Sequence, residues 1–330
     1  MSDVSHRLDT AATDVAPQRS LPDGFAERRP PDRRQPERRQ IGPVCCTPMA
    51  RDGAIREVLK AIEARESRIF AFCNMHTFNL ARRLPALAGA LSRATVFNDG
   101  VGVDLASRLI HGRAFPANLN GTDLTPAVLA GLRSPIRVCL VGSRVDVVTR
   151  AAAVLEARYP CLRVVDVHDG FFDAAESERL IDQLARIKPD LVLVGMGNPR
   201  QELWAINAAT RVSATFLCVG AFLDFTSGTI QRAPDLVRRF RSEWLYRLAH
   251  EPRRLGGRYL IGGPRFMVAV VRTWRAARAE RFGRAGRAES GSRSGLPGRT
   301  GRAAGDETGS VVDPDPAGAP CSVSGPRPRR

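Results

Sequence analysis

Between residues 68 and 219, short apolar runs recur with enough chain between them for one helix each. The runs are 68–73, 94–97, 136–141, 162–167, 191–194 and 215–219, each four to six residues long. The intervening stretches carry apolar residues at helical spacing and predict helices over 76–91, 101–110, 145–158 and 173–187. Two more are predicted, from about Gly121 and from about Pro199. Continuous apolar strands alternating with helices are the pattern of a mostly parallel sheet with helices on both faces, because each parallel crossover carries its own covering helix.

That rhythm stops at both ends. Residues 1–44 are rich in Arg, Pro and Asp, as in Glu27-Arg28-Arg29-Pro30-Pro31-Asp32-Arg33-Arg34, and residues 276–330 are mainly Arg, Gly, Ser and Pro. Neither stretch has the apolar surface to offset its ordering entropy, so both are expected to be disordered tails. The expected folded part is an α/β domain over 45–235, followed by a basic segment over 236–275.

The net charge of +16 is concentrated in that last segment, where ten Arg face two Glu. Leu236, Phe240, Trp244 and Leu248 recur every four residues with arginines interspersed, which predicts a basic amphipathic helix. Such a helix suits an anionic membrane surface, where each cation contributes about 1 kcal/mol. The run from Phe266 to Val271 is too short to cross a bilayer and is expected to rest on one. The polar opening residues do not read as a secretion signal. The seven cysteines show no metal or redox spacing and read as thiols of a reducing cytosol. Nucleic acid is disfavoured as a partner, because residues 45–235 hold 22 basic against 19 acidic residues and no aromatic-basic face.

Two motifs stand where a strand gives way to a helix, the edge at which open α/β sheets bind ligands. The first is Asn98-Asp99-Gly100-Val101-Gly102, whose Asp99 either takes a proton from an incoming hydroxyl or caps the following helix. The second is Gly195-Met196-Gly197-Asn198-Pro199-Arg200-Gln201-Glu202-Leu203-Trp204. Its glycines, Gly197 among them, let backbone N–H groups approach a phosphate-bearing ligand, with Gln201 and Glu202 in the first helical turn. Asn74, Asn120, Thr122 and Asp123 lie at turns that border the same edge and offer amide, hydroxyl and carboxylate groups to a sugar. Turn formation accounts for each equally well. Asp224 is similarly placed after Gly220-Ala221-Phe222. The loop at Gly142-Ser143-Arg144 lacks the full dinucleotide fingerprint, which disfavours NAD. The folded part contains no Asp-x-Asp pair, so no metal site is expected.

In order, Asn74, Asn98-Asp99-Gly100-Val101-Gly102, Gly121-Thr122-Asp123-Leu124, Gly170-Phe171-Phe172, Gly197 to Trp204, Gly220 to Phe225 and Glu243 to Arg254 resemble the WecG/TagA/CpsF glycosyltransferases over about residues 54–258. The resemblance implies a Rossmann-like fold with a C-terminal basic helical appendage. It also implies inverting, metal-independent transfer of a sugar, N-acetylmannosamine-type or a related hexose, without a cofactor. The implied donor is a UDP-sugar and the implied acceptor a polyprenyl-diphosphate-linked sugar on the cytoplasmic face of the plasma membrane. Self-association is left open. By position, Asp99 resembles the general base, Asn74 a sugar-pocket residue, and Gln201 and Asp224 contacts to the nucleotide sugar. Arg247 and Arg254, with Arg253 as a substitute, resemble the cations that close over the diphosphate. Phe72 stands where the family commonly has Thr, which removes a hydroxyl from the sugar pocket. A nucleotide-dependent oxidoreductase and a basic nucleic-acid-binding protein are the rival readings.

Overall fold

In the computed structural model of this protein, residues 37–232, 234, 243–250 and 252–292 are described. A hairpin of β1 (Arg39–Ile41) and β2 (Val44–Cys46) precedes α1 (Arg51–Glu63). There follow β3 (Ile69–Cys73), α2 (Met75–Ala81), α3 (Pro85–Ser92), β4 (Thr95–Asn98), α4 (Val101–His111) and α5 (Gly121–Ala130). Next come β5 (Ile136–Gly142), α6 (Val145–Arg158), β6 (Leu162–His168), α7 (Ala174–Ile187), β7 (Leu191–Gly195), α8 (Arg200–Ala208), β8 (Thr215–Cys218) and α9 (Phe222–Thr226). The C-terminal part comprises α10 (Glu243–His250), α11 (Pro252–Gly256), a π-helical turn over Gly257–Ile261 and α12 (Gly262–Ser292). The chain divides into two units, Met1–Arg278 and Ala279–Arg330; the described residues of the second are helical.

Strands β3 to β8 form one sheet in the order β4-β3-β8-β7-β5-β6, and every neighbouring pair is parallel. Alternation along each strand feeds two cores, as the period of two requires. In β7, Leu191 and Leu193 join residues of α1, α5, α6 and α9 on one face. Val192 and Val194 join α2, α3, α4, α7 and α8 on the other. The fold is therefore an α/β, Rossmann-like sheet covered on both sides.

Three boundaries differ from expectation. The helix predicted over 76–91 is two helices, because Pro85 cannot donate an N–H to a continuing turn and instead opens α3 at its first position. The folded region begins upstream of residue 45: Ile41 and Val44 are fully buried, and Arg39, in the supposed tail, donates to Ser107 Oγ at 3.1 Å and to the Ala114 carbonyl at 2.7 Å. Three-residue strands among charged neighbours carry no readable period. At the other end α12 continues past residue 275 to Ser292. Its apolar run is only partly open, since Phe266, Ala269 and Val270 are buried while Val268 is exposed, and Phe266 meets Phe78 edge-on at 4.8 Å. Residues 236–242 of the predicted amphipathic helix lie outside the described residues. Among the described residues no helix is long and apolar enough to cross a membrane.

Candidate active site

Because all six strands point the same way, their carboxyl ends share one edge. Register places Cys73 level with Asn98, Gly142 with Gly195, and Val194 with Cys218. Along the edge stand Asp99 after β4, Asn74 after β3, Gly220 after β8, Gly197 after β7 and Ser143 after β5. Asp99 and the Gly197 loop are three strand spacings apart, roughly 14 Å. The two motifs thus lie on one side of the molecule.

Asp99 is fixed from several directions. Its N–H donates to the Cys73 carbonyl at 2.8 Å, and the next residue, Gly100, takes a φ of +90° that a side chain would strain. The Gly100 N–H donates to Asn118 Oδ1 at 2.7 Å. Asn74 caps α2: its Oδ1 accepts from the N–H groups of His76 and Thr77 at 3.0 and 3.1 Å and from Thr77 Oγ1 at 3.2 Å. With Oδ1 committed, Nδ2 must face the other way, and it donates to Asp99 Oδ2 at 3.0 Å. The amide therefore orients the carboxylate through a rigid cap.

The second motif also reaches the edge, but its polar side chains turn inward. Gln201 is 3% exposed; its Oε1 accepts from the N–H groups of Gly197 and Gly220, both at 3.2 Å, and its Nε2 donates to Glu202 Oε1 at 2.7 Å. The side chain expected to touch the nucleotide sugar ties the loop after β7 to the loop after β8. Glu202 is buried and accepts from Asn198 as well. Its Oε2 has no partner among the described residues, and burial pushes its pKa up to about 7 against the opposing hydrogen bonds of Gln201, its own backbone and Asn198. Beside these side chains the loop passes through Gly197 (φ +77°) and the cis Asn198–Pro199 peptide.

Asp224 accepts from Ser143 Oγ at 2.6 Å, which joins the loop after β8 to the turn after β5. That turn touches its neighbour: a Cβ on Gly142 would lie 2.4 Å from the carbonyl carbon of Gly195. Asn120 caps α5, accepting from the Asp123 N–H and Thr122 Oγ1, both at 2.8 Å, and donating to Asp123 Oδ2 at 2.7 Å. Asp123 Oδ1 pairs with Arg232 at 2.6 Å. The cap therefore engages polar atoms of Asn120, Thr122 and Asp123. Phe72 belongs to the core, its ring 3.0 Å from where a Gly121 Cβ would stand and 6.0 Å from the ring centre of Phe97.

The C-terminal segment returns to this edge. Its Arg258 acts on His76, two residues past Asn74; burial first and that charge second push the His76 pKa down to about 4, so the ring is neutral at physiological pH. Phe266 reaches the neighbourhood of Gly102 in the first motif. Arg253 is exposed on α11; the side chains of Arg247 and Arg254 lie outside the described residues. Among the described residues no three His, Cys, Asp or Glu side chains are grouped as metal ligands.

Residues 40–280 match the Glycosyl transferase WecG/TagA/CpsF family. The chain belongs to that family. It is also similar to proteins named N-acetylglucosaminyldiphosphoundecaprenol N-acetyl-beta-D-mannosaminyltransferase. The Bacillus spizizenii protein is 28% identical over 61% of this chain and 78% of its own length. For Bacillus subtilis the figures are 28%, 54% and 68%. A Staphylococcus aureus protein is 33% identical over 42% of this chain and 54% of its own.

In this glycosyltransferase the sequence does not single out Asn118 or Arg258 at the edge, and it offers Ser143 only as part of a weak phosphate loop. Asn118 holds the Asp99 turn from outside any motif. Ser143 takes a φ of +56° and braces Asp224, a role that the glycine before it hints at. Arg258 follows Arg254 by four residues, the spacing that puts two helical side chains on one face, and that spacing was a usable signal.

Proposed function

We propose that this glycosyltransferase moves an N-acetylmannosamine-type or related hexose from a UDP-sugar to a polyprenyl-diphosphate-linked sugar. The reaction is an inverting single displacement without a metal or other cofactor, at the inner face of the plasma membrane. The observation that carries this reading is the Asn74–Asp99 pair, a carboxylate oriented by a capped amide on the edge that also holds the glycine loops. The names of the similar proteins support the acceptor class.

In the proposed step Asp99 accepts the proton of the acceptor hydroxyl. The hydroxyl oxygen forms a bond to the anomeric carbon while the bond from that carbon to UDP breaks, and the electron pair leaves on the β-phosphate. Backbone N–H groups around Gly197 and cations of the appendage offset that charge: Arg253 and Arg258, with Arg247 and Arg254 by the family resemblance. Gln201 and Glu202 act as positioning residues for the glycine loop, and Asp224 with Ser143 does the same on the far side. The excess of cations in 236–275 holds the enzyme at an anionic membrane surface.

The test is transfer from UDP-N-acetylmannosamine and other UDP-sugars to N-acetylglucosamine diphospho-lipid, with and without EDTA, followed by assignment of the product anomer. Released UDP, a product anomer opposite to the donor's and indifference to EDTA are expected. Retention of configuration, or loss of turnover with EDTA, contradicts the reading.

A further inference from the structure

Beyond the edge that carries Asp99, the end of α2 and the first turns of α12 enclose a groove of about 300 Å³. Four arginines line it, Arg82 and Arg83 after α2 and Arg265 and Arg272 on α12, and no acidic side chain is among its lining residues. Arg265, Val268 and Arg272 are spaced three and seven apart, so they form one stripe of the helix. The two walls are joined by buried and polar contacts: Phe266 packs on Phe78, and Asn79 Nδ2 donates to the Gly262 carbonyl at 2.8 Å. The groove is thus a fixed feature between two helices.

Position and surroundings say what it suits. Helix α2 starts directly after Asn74, and Arg82 lies eight residues further on, about 12 Å along the chain at helical rise. Next to the groove, Leu260 and Ile261 are 70% and 51% exposed, and Val268 within it is 53% exposed. On the side of α2 that leads away from Asn74 the protein therefore presents a cluster of guanidiniums flanked by exposed apolar side chains. The acceptor in the proposed reaction likewise joins a diphosphate to an isoprenoid beside its reacting sugar. Guanidinium forks match phosphate oxygens in geometry and charge.

We infer that the groove binds the diphosphate of the polyprenyl-linked acceptor, with Leu260, Ile261 and Val268 beginning the path of its isoprenoid. This rests on the acceptor class proposed above and is separate from the cations given to the UDP leaving group.

The test uses farnesyl diphosphate as the probe, with the full chain, so that it does not depend on catalysis. Titration calorimetry should detect binding that Arg82→Glu/Arg265→Glu weakens about tenfold or more, the effect of removing charge-assisted contacts. Arg82→Lys/Arg265→Lys should recover part of it. UDP binding and thermal unfolding should be unchanged, and Arg56→Glu/Arg133→Glu, with the same change in net charge on exposed sites elsewhere, should leave the probe's affinity as it was. Absence of farnesyl diphosphate binding, or equal binding by the first double variant, overturns the inference. So does loss of binding to phosphatidylglycerol vesicles with farnesyl diphosphate affinity intact, which makes the groove a general headgroup surface. If sugar transfer fails while the probe still binds in an arginine-dependent way, the reaction is wrong and the diphosphate site stands.

Discussion

Asn74 uses both ends of its amide, one to cap α2 and one to hold Asp99, so the helix and the carboxylate are set by the same side chain. Glu202 has the opposite character: it is a buried carboxyl whose pKa is raised to about 7 by burial. The native state then keeps a proton that the unfolded chain releases near pH 4.5, so stability falls as pH rises from about 4.5 to 7 and levels off above. The full difference is about 3 kcal/mol by the free energy of a pKa shift. Glu202→Gln preserves the acceptor for Asn198 and Gln201 and removes the titration. Urea unfolding at pH 5 and pH 8 should show a larger loss of stability with pH in the natural protein than in the variant; parallel pH profiles contradict this. Asp99 and Asn74 were legible in the sequence because a polar residue that ends an apolar strand has few places to go. The inward bonds of Gln201 were not legible because, in the first turn of a helix, an amide facing a ligand and an amide facing the next loop have the same local sequence. Asn118 was invisible for another reason, as its partner lies eighteen residues away.

The helices and strands differ in how much of their placement is local. Strands β3 to β8 were legible because they are short, mainly apolar runs, most of them buried on both faces; only edge strand β6 is largely half-buried. The hairpin and α12 were not, since three-residue strands and an Arg-rich helix owe their stability to tertiary contact and carry little period of their own. Phe266 is the clearest such contact, fully buried between α2 and α4 although it sits in a basic segment that reads as surface. Phe266→Ala should destabilise the protein by about 3 to 5 kcal/mol, the span for removing a buried aromatic ring. Val268→Ala, at a mostly exposed position on the same helix, should change stability by only about 0.5 kcal/mol. Equal small losses for the two in urea unfolding would show that α12 contributes nothing to the folded unit.

Taken as one object, the first unit places a parallel sheet and a basic helical segment around a single edge. The sheet supplies the oriented Asp99 carboxylate and the glycine loops; the appendage supplies cations and, with α2, the arginine-lined groove. This division explains why the charge is uneven. In the proposed reaction the sheet domain needs only enough polarity to stay soluble, whereas the appendage faces phosphate on both substrates and at the membrane. The proposed reaction stands or falls on Asp99 acting as the base. The most direct measurement is turnover of Asp99→Asn alongside donor affinity by calorimetry. A fall of about 10² to 10⁴ in turnover, the span of general-base catalysis, with UDP-sugar affinity unchanged is the predicted result; turnover close to that of the natural protein would contradict it.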